Sequence, residues 1–229
     1  MWYDVLMKKI DSNTVGSNTY DTIKKDIIFG DLQPGAKLKL EALKKRYEAS
    51  VSTLRETLNR LASEGFVVAA EQRGFFVAPI SKDDLMEIAN MRVLLESSAL
   101  KASIEQGDTE WEAEIVAAYH KLKMMEERMQ SGDYSEKEVW KRYDWEFHQA
   151  LISACESNTL KHLHSIIFDK YLRYQILTLG YRGKPACDEH KDMMEAALSR
   201  DTKKALGVLE QHVTHCLDSL VIDFSEQLA

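Results

Sequence analysis

The sequence predicts a mainly α-helical protein, with an N-terminal winged helix-turn-helix followed by a C-terminal all-α antiparallel helical bundle. The first observation is the periodicity of apolar residues along the chain. Residues 17–80 mix short helical and short alternating segments, whereas residues 83–224 show helical periodicity and little β signal. The second is the charge, with 12 Lys and Arg against 10 Asp and Glu in residues 1–80, and 18 against 27 in residues 81–229. Unless it arises by chance, this asymmetry indicates two domains with different partners.

The N-terminal elements follow in the order helix, strand, helix, helix, hairpin, which is the order of a winged helix-turn-helix. Residues 1–16 show no sustained period and are predicted to form a flexible arm. Ser50 is placed to cap the third helix, and Gln33-Pro34-Gly35 predicts a turn. The predicted elements are a helix from Tyr20 to about Gly30, a strand over 37–40, helices over 41–47 and 50–65, and strands over 66–69 and 74–77.

The C-terminal domain, predicted over residues 83–224, follows Pro79 and opens with Ser81-Lys-Asp-Asp84, a capping-box pattern. Short clusters of Gly, Ser and Asp then divide the chain into six segments with helical periodicity. The predicted helices cover 82–106, 110–131, 135–156, 158–180, 187–200 and 202–224. Short connections of this kind favour antiparallel packing of neighbouring helices.

Composition favours a cytoplasmic protein that does not span a membrane. No stretch of the 229 residues approaches the roughly 20 apolar residues of a membrane helix, and the first residues lack the pattern of a secretory signal. The three cysteines, Cys155, Cys187 and Cys216, cannot all pair within one chain and form no Cys-x-x-Cys. Reduced thiols are the simplest interpretation.

The third helix of the N-terminal domain is predicted to read DNA, because the second helix of a helix-turn-helix lies in the major groove. Leu54 and its helical neighbours face the core, which turns Thr53 and Arg55 toward bases and phosphates. The hairpin tip is predicted to reach the neighbouring minor groove, and Gly74 allows a close backbone approach. The predicted DNA-contacting residues are Arg46, Ser50, Ser52, Thr53, Arg55, Arg73 and Gly74. The alternative is that Arg46, Arg55 and Arg60 form a solvated helix face.

Three stretches in residues 17–80 carry a resemblance to a known family. They are Tyr20 to Leu38 with its Pro34-Gly35 turn, Ser50-Val-Ser-Thr-Leu-Arg-Glu-Thr-Leu58 with Glu64-Gly65, and Arg73-Gly74-x-x-Val77. In this order they resemble the first helix, recognition helix and wing of the GntR family of bacterial repressors. The chain departs from that family at three positions: Val51, where the family usually has arginine; Thr53, often proline; and Glu41, often basic. The family's operator sequence is therefore not transferable.

Four polar residues in the C-terminal domain are predicted to hold a metal ion. Asp144 and His148 are four residues apart on one helix, and therefore share a face that is otherwise apolar. A hydrogen bond between them is one explanation and a metal is another. His190 and His212 are each a lone imidazole on an apolar stripe, so all four converge if these stripes form one core. Such a set suits zinc, nickel or another borderline divalent ion, with His215 as the main rival ligand.

The same residues resemble the FCD sensor domain of the FadR-type branch of the GntR family. The resemblance covers about residues 83–222 and includes Asp144-x-x-x-His148, Glu189-His190 and His212. It implies a ligand pocket at the metal, where a carboxylate-bearing metabolite fills open positions. Arg92 and Arg173 are the predicted carboxylate-binding arginines, with ordinary salt bridges as the alternative. The histidines at 120, 162 and 164 are assigned to the surface or to packing.

These observations lead us to expect a homodimeric transcriptional regulator, with repression as its expected mode, that binds double-stranded operator DNA and responds to a small carboxylate effector. One alternative is a DNA-binding regulator whose C-terminal domain only dimerises and holds a structural metal. A metal-dependent enzyme is disfavoured, because the sequence has no His-Glu-x-x-His, Gly-x-Ser-x-Gly or Walker motif and no Glu-x-x-His pair.

Overall fold

The computed structural model describes residues 15–178 and 182–227 and is mainly helical, as predicted. Its contacts divide the chain into two compact units. The first unit comprises the chain up to Asp84 and, from later in the sequence, Asp169–Leu177. The second comprises Leu85–Phe168 and the residues from Thr178 onward. Within the described residues, no helix is both long and apolar enough to cross a lipid bilayer.

The first unit contains a winged helix-turn-helix, as the element order predicted. Its elements are α1 (Val15–Ile28), β1 (Lys37–Leu38), α2 (Leu40–Tyr47), α3 (Val51–Ser63), β2 (Val67–Ala70) and β3 (Gly74–Val77). The three strands form an antiparallel sheet in the order β1-β3-β2, with Leu38 opposite Phe75 and Val67 opposite Val77. The β2–β3 hairpin is the wing.

Helix α3 has the boundaries that its sequence dictates. Ser50 caps its first turn, since the Ser50 hydroxyl accepts a hydrogen bond from the Thr53 amide at 3.1 Å. Gly65 ends it with a left-handed φ of +81°. The amides of Gly65 and Phe66 then bond back to the carbonyls of Ala62 and Leu61, which is a Schellman motif. The apolar face between these ends, formed by Leu54, Leu58 and Leu61, is completely buried.

The first unit also includes part of a helix from the second half of the chain, α7 (Asn158–Thr178). Asp169 on this helix lies 2.7 Å from the Lys24 ammonium of α1, and both side chains are largely buried. Arg173 donates a hydrogen bond to the Ala78 carbonyl at 2.6 Å. The Tyr174 hydroxyl accepts from the Ser81 amide and donates to Asp84. The winged helix-turn-helix is thus completed by a segment about 90 residues away in sequence.

The second unit is a helical bundle. In addition to the first half of α7, it contains α4 (Lys82–Gln106) from Leu85, α5 (Thr109–Gln130), α6 (Lys137–Leu151), α8 (Lys184–Leu198) and α9 (Thr202–Gln227). Helix α5 packs against α6 and α8, and α8 packs against α9. Large apolar side chains such as Ile115, Phe147 and Leu209 are completely buried between them. This core surrounds the polar cluster described below.

Some predicted boundaries were wrong for local reasons. Helix α6 ends at Leu151 rather than 156, because Ile152 and Cys155 bond back three residues and close turns. Helix α8 begins at Lys184 rather than 187; Pro185 lies in its first turn, where a missing amide hydrogen costs nothing. The predicted strand at 37–40 stops at Leu38, and Leu40 begins α2. Residues 15–16 begin α1, and the remainder of the predicted arm lies outside the described residues.

Candidate metal centre and nucleic-acid interface

The structure brings the four predicted metal-binding residues together inside the second unit. Asp144 and His148 come from α6, His190 from α8 and His212 from α9, and one potential ligand atom of each lies within 4.8 Å of the others. All four side chains are buried. We refer to them as the four-residue cluster. The rival His215 is 53% exposed and bonds to Glu189 instead.

Each histidine of the cluster is held by a glutamate through its Nδ1 atom. His148 lies 2.5 Å from Glu96, His190 lies 2.7 Å from Glu126, and His212 lies 2.8 Å from Glu189. A ring whose Nδ1–H donates to a carboxylate keeps its Nε2 lone pair for another partner. Metal-binding histidines are typically oriented in this way, and the carboxylate makes the ring more basic. Glu96 and Glu126, which α4 and α5 contribute, were not predicted as part of this site from the sequence.

The electrostatics of the cluster also fit a cation. Burial opposes a charge on His190, but the carboxylates of Asp144 and Glu126 outweigh it and raise the pKa of His190 to about 9. Burial lowers the pKa of His148, with Arg92 adding to the effect, and burial also lowers the pKa of His212, with neighbouring histidines and Arg182 adding to the effect. The buried Nε2 of His190 makes no well-aligned hydrogen bond within the described residues, and lies 3.3 Å from Asp144. A metal ion at this atom would supply the missing partner.

Among the described residues, three basic side chains adjoin the cluster, and only Arg92 was predicted from the sequence. The Arg92 guanidinium is fully buried, bonds Glu96 at 2.9 Å, and lies 3.3 Å from Nε2 of His148. Arg182 bonds Glu189 at 2.8 Å and lies 3.2 Å from His212. Lys141 lies 3.8 Å from Asp144. Lys141 could have been predicted from the sequence, because a residue three positions before Asp144 lies on the same face of α6. Arg182 precedes α8, so helical periodicity does not place it near the cluster.

The other residues considered for effector or metal binding lie elsewhere. Arg173, predicted as a second effector arginine, belongs to the first unit, where its guanidinium already bonds the Ala78 carbonyl. His164 is buried and lies 3.2 Å from Glu96, in agreement with a packing role. His120 and His162 are exposed. Arg92 is therefore the one predicted effector arginine that adjoins the cluster.

The predicted DNA contacts on α3 lie at or near its N-terminal end. Ser52 and Arg55 are exposed, and Arg55 has no ion-pair partner in the described part of the chain. The hydroxyls of Ser52 and Thr53 lie 2.7 and 2.9 Å from the Ser50 hydroxyl, so the cap organises all three. Arg60, on the same helix, instead places its guanidinium 3.8 Å from the centre of the Tyr20 ring.

The remaining predicted DNA contacts lie on α2 and at the wing. Arg46 is paired with Asp26 at 2.5 Å, and Asp26 also accepts a hydrogen bond from Tyr47. Arg73 and Gly74 are exposed at the wing tip. Gly74 has a φ of +93° and open space where a side chain would start, so glycine suits both the turn and a close approach.

Comparison with known proteins covers both units. The protein-family model described as "FCD domain" matches residues 87–215. The family model described as "Bacterial regulatory proteins, gntR family" matches residues 16–77. The chain is 37% identical over 198 residues to the HTH-type transcriptional regulator BphR of Paraburkholderia xenovorans (strain LB400), covering 85% of this chain and 80% of the relative. It is 33% identical over 202 residues to the HTH-type transcriptional repressor GlaR of Escherichia coli (strain K12), covering 85% and 90%.

Two solved structures share the fold. The structure of McbR/YncC from E. coli superposes with a TM-score of 0.76 at 20% identity, over 93% of this chain and 100% of that one. A GntR transcriptional regulator from Rhodococcus sp. RHA1 gives a TM-score of 0.72 at 20% identity, over 90% and 97%. At these identities the likeness concerns the fold alone.

Proposed function

The chain belongs to the GntR family of bacterial regulatory proteins and carries an FCD domain, and from this premise we propose that a small carboxylate, bound at a metal ion in the second unit, controls its affinity for operator DNA. Its matched domains and relatives are those of DNA-binding transcriptional regulators rather than enzymes. The observation that carries the proposal is the four-residue cluster, with a glutamate behind each of its three imidazoles.

In this proposal Asp144, His148, His190 and His212 hold one divalent ion, with zinc and nickel as the ions that best suit imidazole and carboxylate ligands. The bound ion supplies a Lewis-acidic centre with open positions for an anionic oxygen. The three glutamates fix the imidazole rings, and Arg92 holds Glu96 while adding positive charge beside His148. The four side chains are buried, and the low dielectric of such surroundings strengthens each of these interactions.

The DNA-reading half of the proposal places α3 in the major groove and the wing tip at the adjacent minor groove. Two copies related by a two-fold axis would then read a palindromic operator, with repression as the proposed mode. A dimer is supported by exposed apolar side chains on α4, where Met91 and Leu94 are 41% and 59% exposed.

Replacing Arg55 with alanine is expected to weaken operator binding by about 1–3 kcal/mol, because the exposed guanidinium at the start of α3 is suited to a bidentate contact with guanine. Fluorescence anisotropy at fixed salt, on a duplex selected from random sequence with the unchanged protein, measures this. The matched control is Arg60→Ala on the same helix, whose guanidinium packs on Tyr20. Equal losses for the two variants would contradict the assignment of Arg55.

Effector and operator DNA are each expected to weaken the binding of the other by about 1–3 kcal/mol, which is a factor of roughly 5 to 150 in the dissociation constant. An acid found by thermal-shift screening of the metal-loaded protein is titrated by calorimetry with and without operator DNA. Because coupling is reciprocal, DNA must weaken acid binding by the same factor by which the acid weakens DNA binding. Equal acid affinities in both conditions would favour the alternative, a second unit that only dimerises and holds a structural metal.

A further inference from the structure

A buried lysine adjoins the four-residue cluster, and within the described part of the chain its side chain makes no hydrogen bond. Lys141 is 2% exposed, and no acceptor in the described part of the chain lies within hydrogen-bond distance of its ammonium. Its nearest carboxylate oxygen, on Asp144, is 3.8 Å away, which is too far for a hydrogen bond. An ammonium has three donors, and burying them unsatisfied is costly. Within the described residues, the Lys141 donors therefore remain available to an acceptor that enters the site.

The surroundings of Lys141 hold the ammonium in place while leaving its donors available. Its nitrogen lies 4.2 Å from the centre of the Trp140 ring, where a cation is attracted to the ring face without using an N–H. Lys141 precedes Asp144 by three residues and His148 by seven, so all three share one face of α6. The ammonium is thereby kept beside the atoms that would bind the metal.

The carboxylates of the site are already engaged elsewhere. Glu96 bonds Arg92, His148 and His164, while Glu126 bonds His190. Glu189 bonds Arg182, His212 and His215. Among the described carboxylates, Asp144 is the one paired with Lys141, and in the proposed function Asp144 is a metal ligand whose charge is shared with the ion. An anion that enters with the ligand would supply an acceptor for Lys141.

We propose that Lys141 is an effector-binding residue, whose ammonium donates to the carboxylate group that occupies the open position of the metal. In this proposal the metal ion and Lys141 would both bind the anion. This inference rests on the proposed function and deepens it. A metal ion alone binds both neutral and anionic donors. Lys141 would add a preference for carboxylates over neutral ligands.

The test uses cobalt-loaded full-length protein and two probes, acetate as an anion and imidazole as a neutral metal ligand, with binding followed by the cobalt visible spectrum. Lys141→Met is expected to weaken acetate binding by about tenfold or more, while imidazole affinity changes by less than about twofold. Lys141→Arg is expected to recover part of the acetate affinity, since it restores the charge and donors. The control is Lys121→Met, which removes an exposed lysine of the same unit.

The outcomes separate this inference from the function on which it rests. Acetate binding to Lys141→Met with the affinity of the unchanged protein would overturn the role of Lys141 and leave the proposed function intact. Failure of the unchanged protein to bind either probe would remove the open metal position, and both proposals with it. If Lys141→Met loses cobalt or fails to fold, Lys141→Gln and Lys141→Arg provide the comparison. A cobalt-loaded Lys141→Gln that binds acetate normally would equally overturn the role of Lys141.

Discussion

Replacing Lys24 with methionine is expected to lower the free energy of unfolding by about 3 kcal/mol, measured by urea denaturation. The Lys24 ammonium lies 2.7 Å from Asp169 and 3.3 Å from Glu64, and the three side chains are only 7, 16 and 10% exposed. It also lies 4.9 Å from the centre of the Phe66 ring. Without the lysine, two largely buried carboxylates lose the cation that lies between them, and the loss of this ion pairing causes most of the decrease in stability.

The neighbouring residue provides the control for this prediction. Lys25 is less buried, and among the described residues it makes a ring contact with Phe29 rather than an ion pair. Lys25→Met is therefore expected to change stability by less than about 0.5 kcal/mol. Adding Asp169→Asn to Lys24→Met should cost less than the sum of the two single changes, because the residues are coupled. Equal stabilities of Lys24→Met and Lys25→Met would contradict the role assigned to the buried pair.

Protein purified without added metal is expected to contain about one divalent ion per chain, and the double variant His148→Ala/His212→Ala almost none. The change removes two of the three imidazoles that converge in the four-residue cluster. Elemental analysis measures the metal content directly. Loss of a ligand that binds only the folded state also lowers the melting temperature, so the chelated unchanged protein should melt earlier than the loaded one.

The chain offers a matched control for the metal prediction. His120→Ala/His162→Ala removes the same number of histidines from exposed positions of the same unit, and should leave the metal content unchanged. Asp144→Asn preserves side-chain volume, so its reduced metal content would not reflect a cavity. Full metal occupancy in the His148→Ala/His212→Ala variant would contradict the ligand set.

Local chemistry explains how much of the structure was predictable from the sequence. The boundaries of α3 follow from a serine cap, a leucine stripe and a glycine in the left-handed conformation, all of which act within one helix. The convergence of the four-residue cluster was predictable because histidines on apolar stripes must find partners in a core.

Properties that depend on which helices become neighbours were not predictable in the same way. Glu96 and Glu126 look like ordinary surface glutamates in sequence, and only the packing of α4 and α5 buries them behind imidazoles. The location of Arg173 was unpredictable for the same reason. Its helical period is the same whichever unit it packs in, so the sequence did not show that it would bond Ala78 in the first unit.

The contribution of Asp169–Leu177 to the first unit limits how such a gene can recombine. A fusion that joins residues up to Asp84 to an unrelated C-terminal domain would separate Lys24 from Asp169, and Ser81 from Tyr174. The transplanted DNA-binding domain would then contain buried Lys24 without its main counter-ion, Asp169, and would be less stable than in the original chain. Exchange of the C-terminal domain is expected to succeed only between genes whose α7 supplies equivalent contacts, so the two halves should be inherited as a pair.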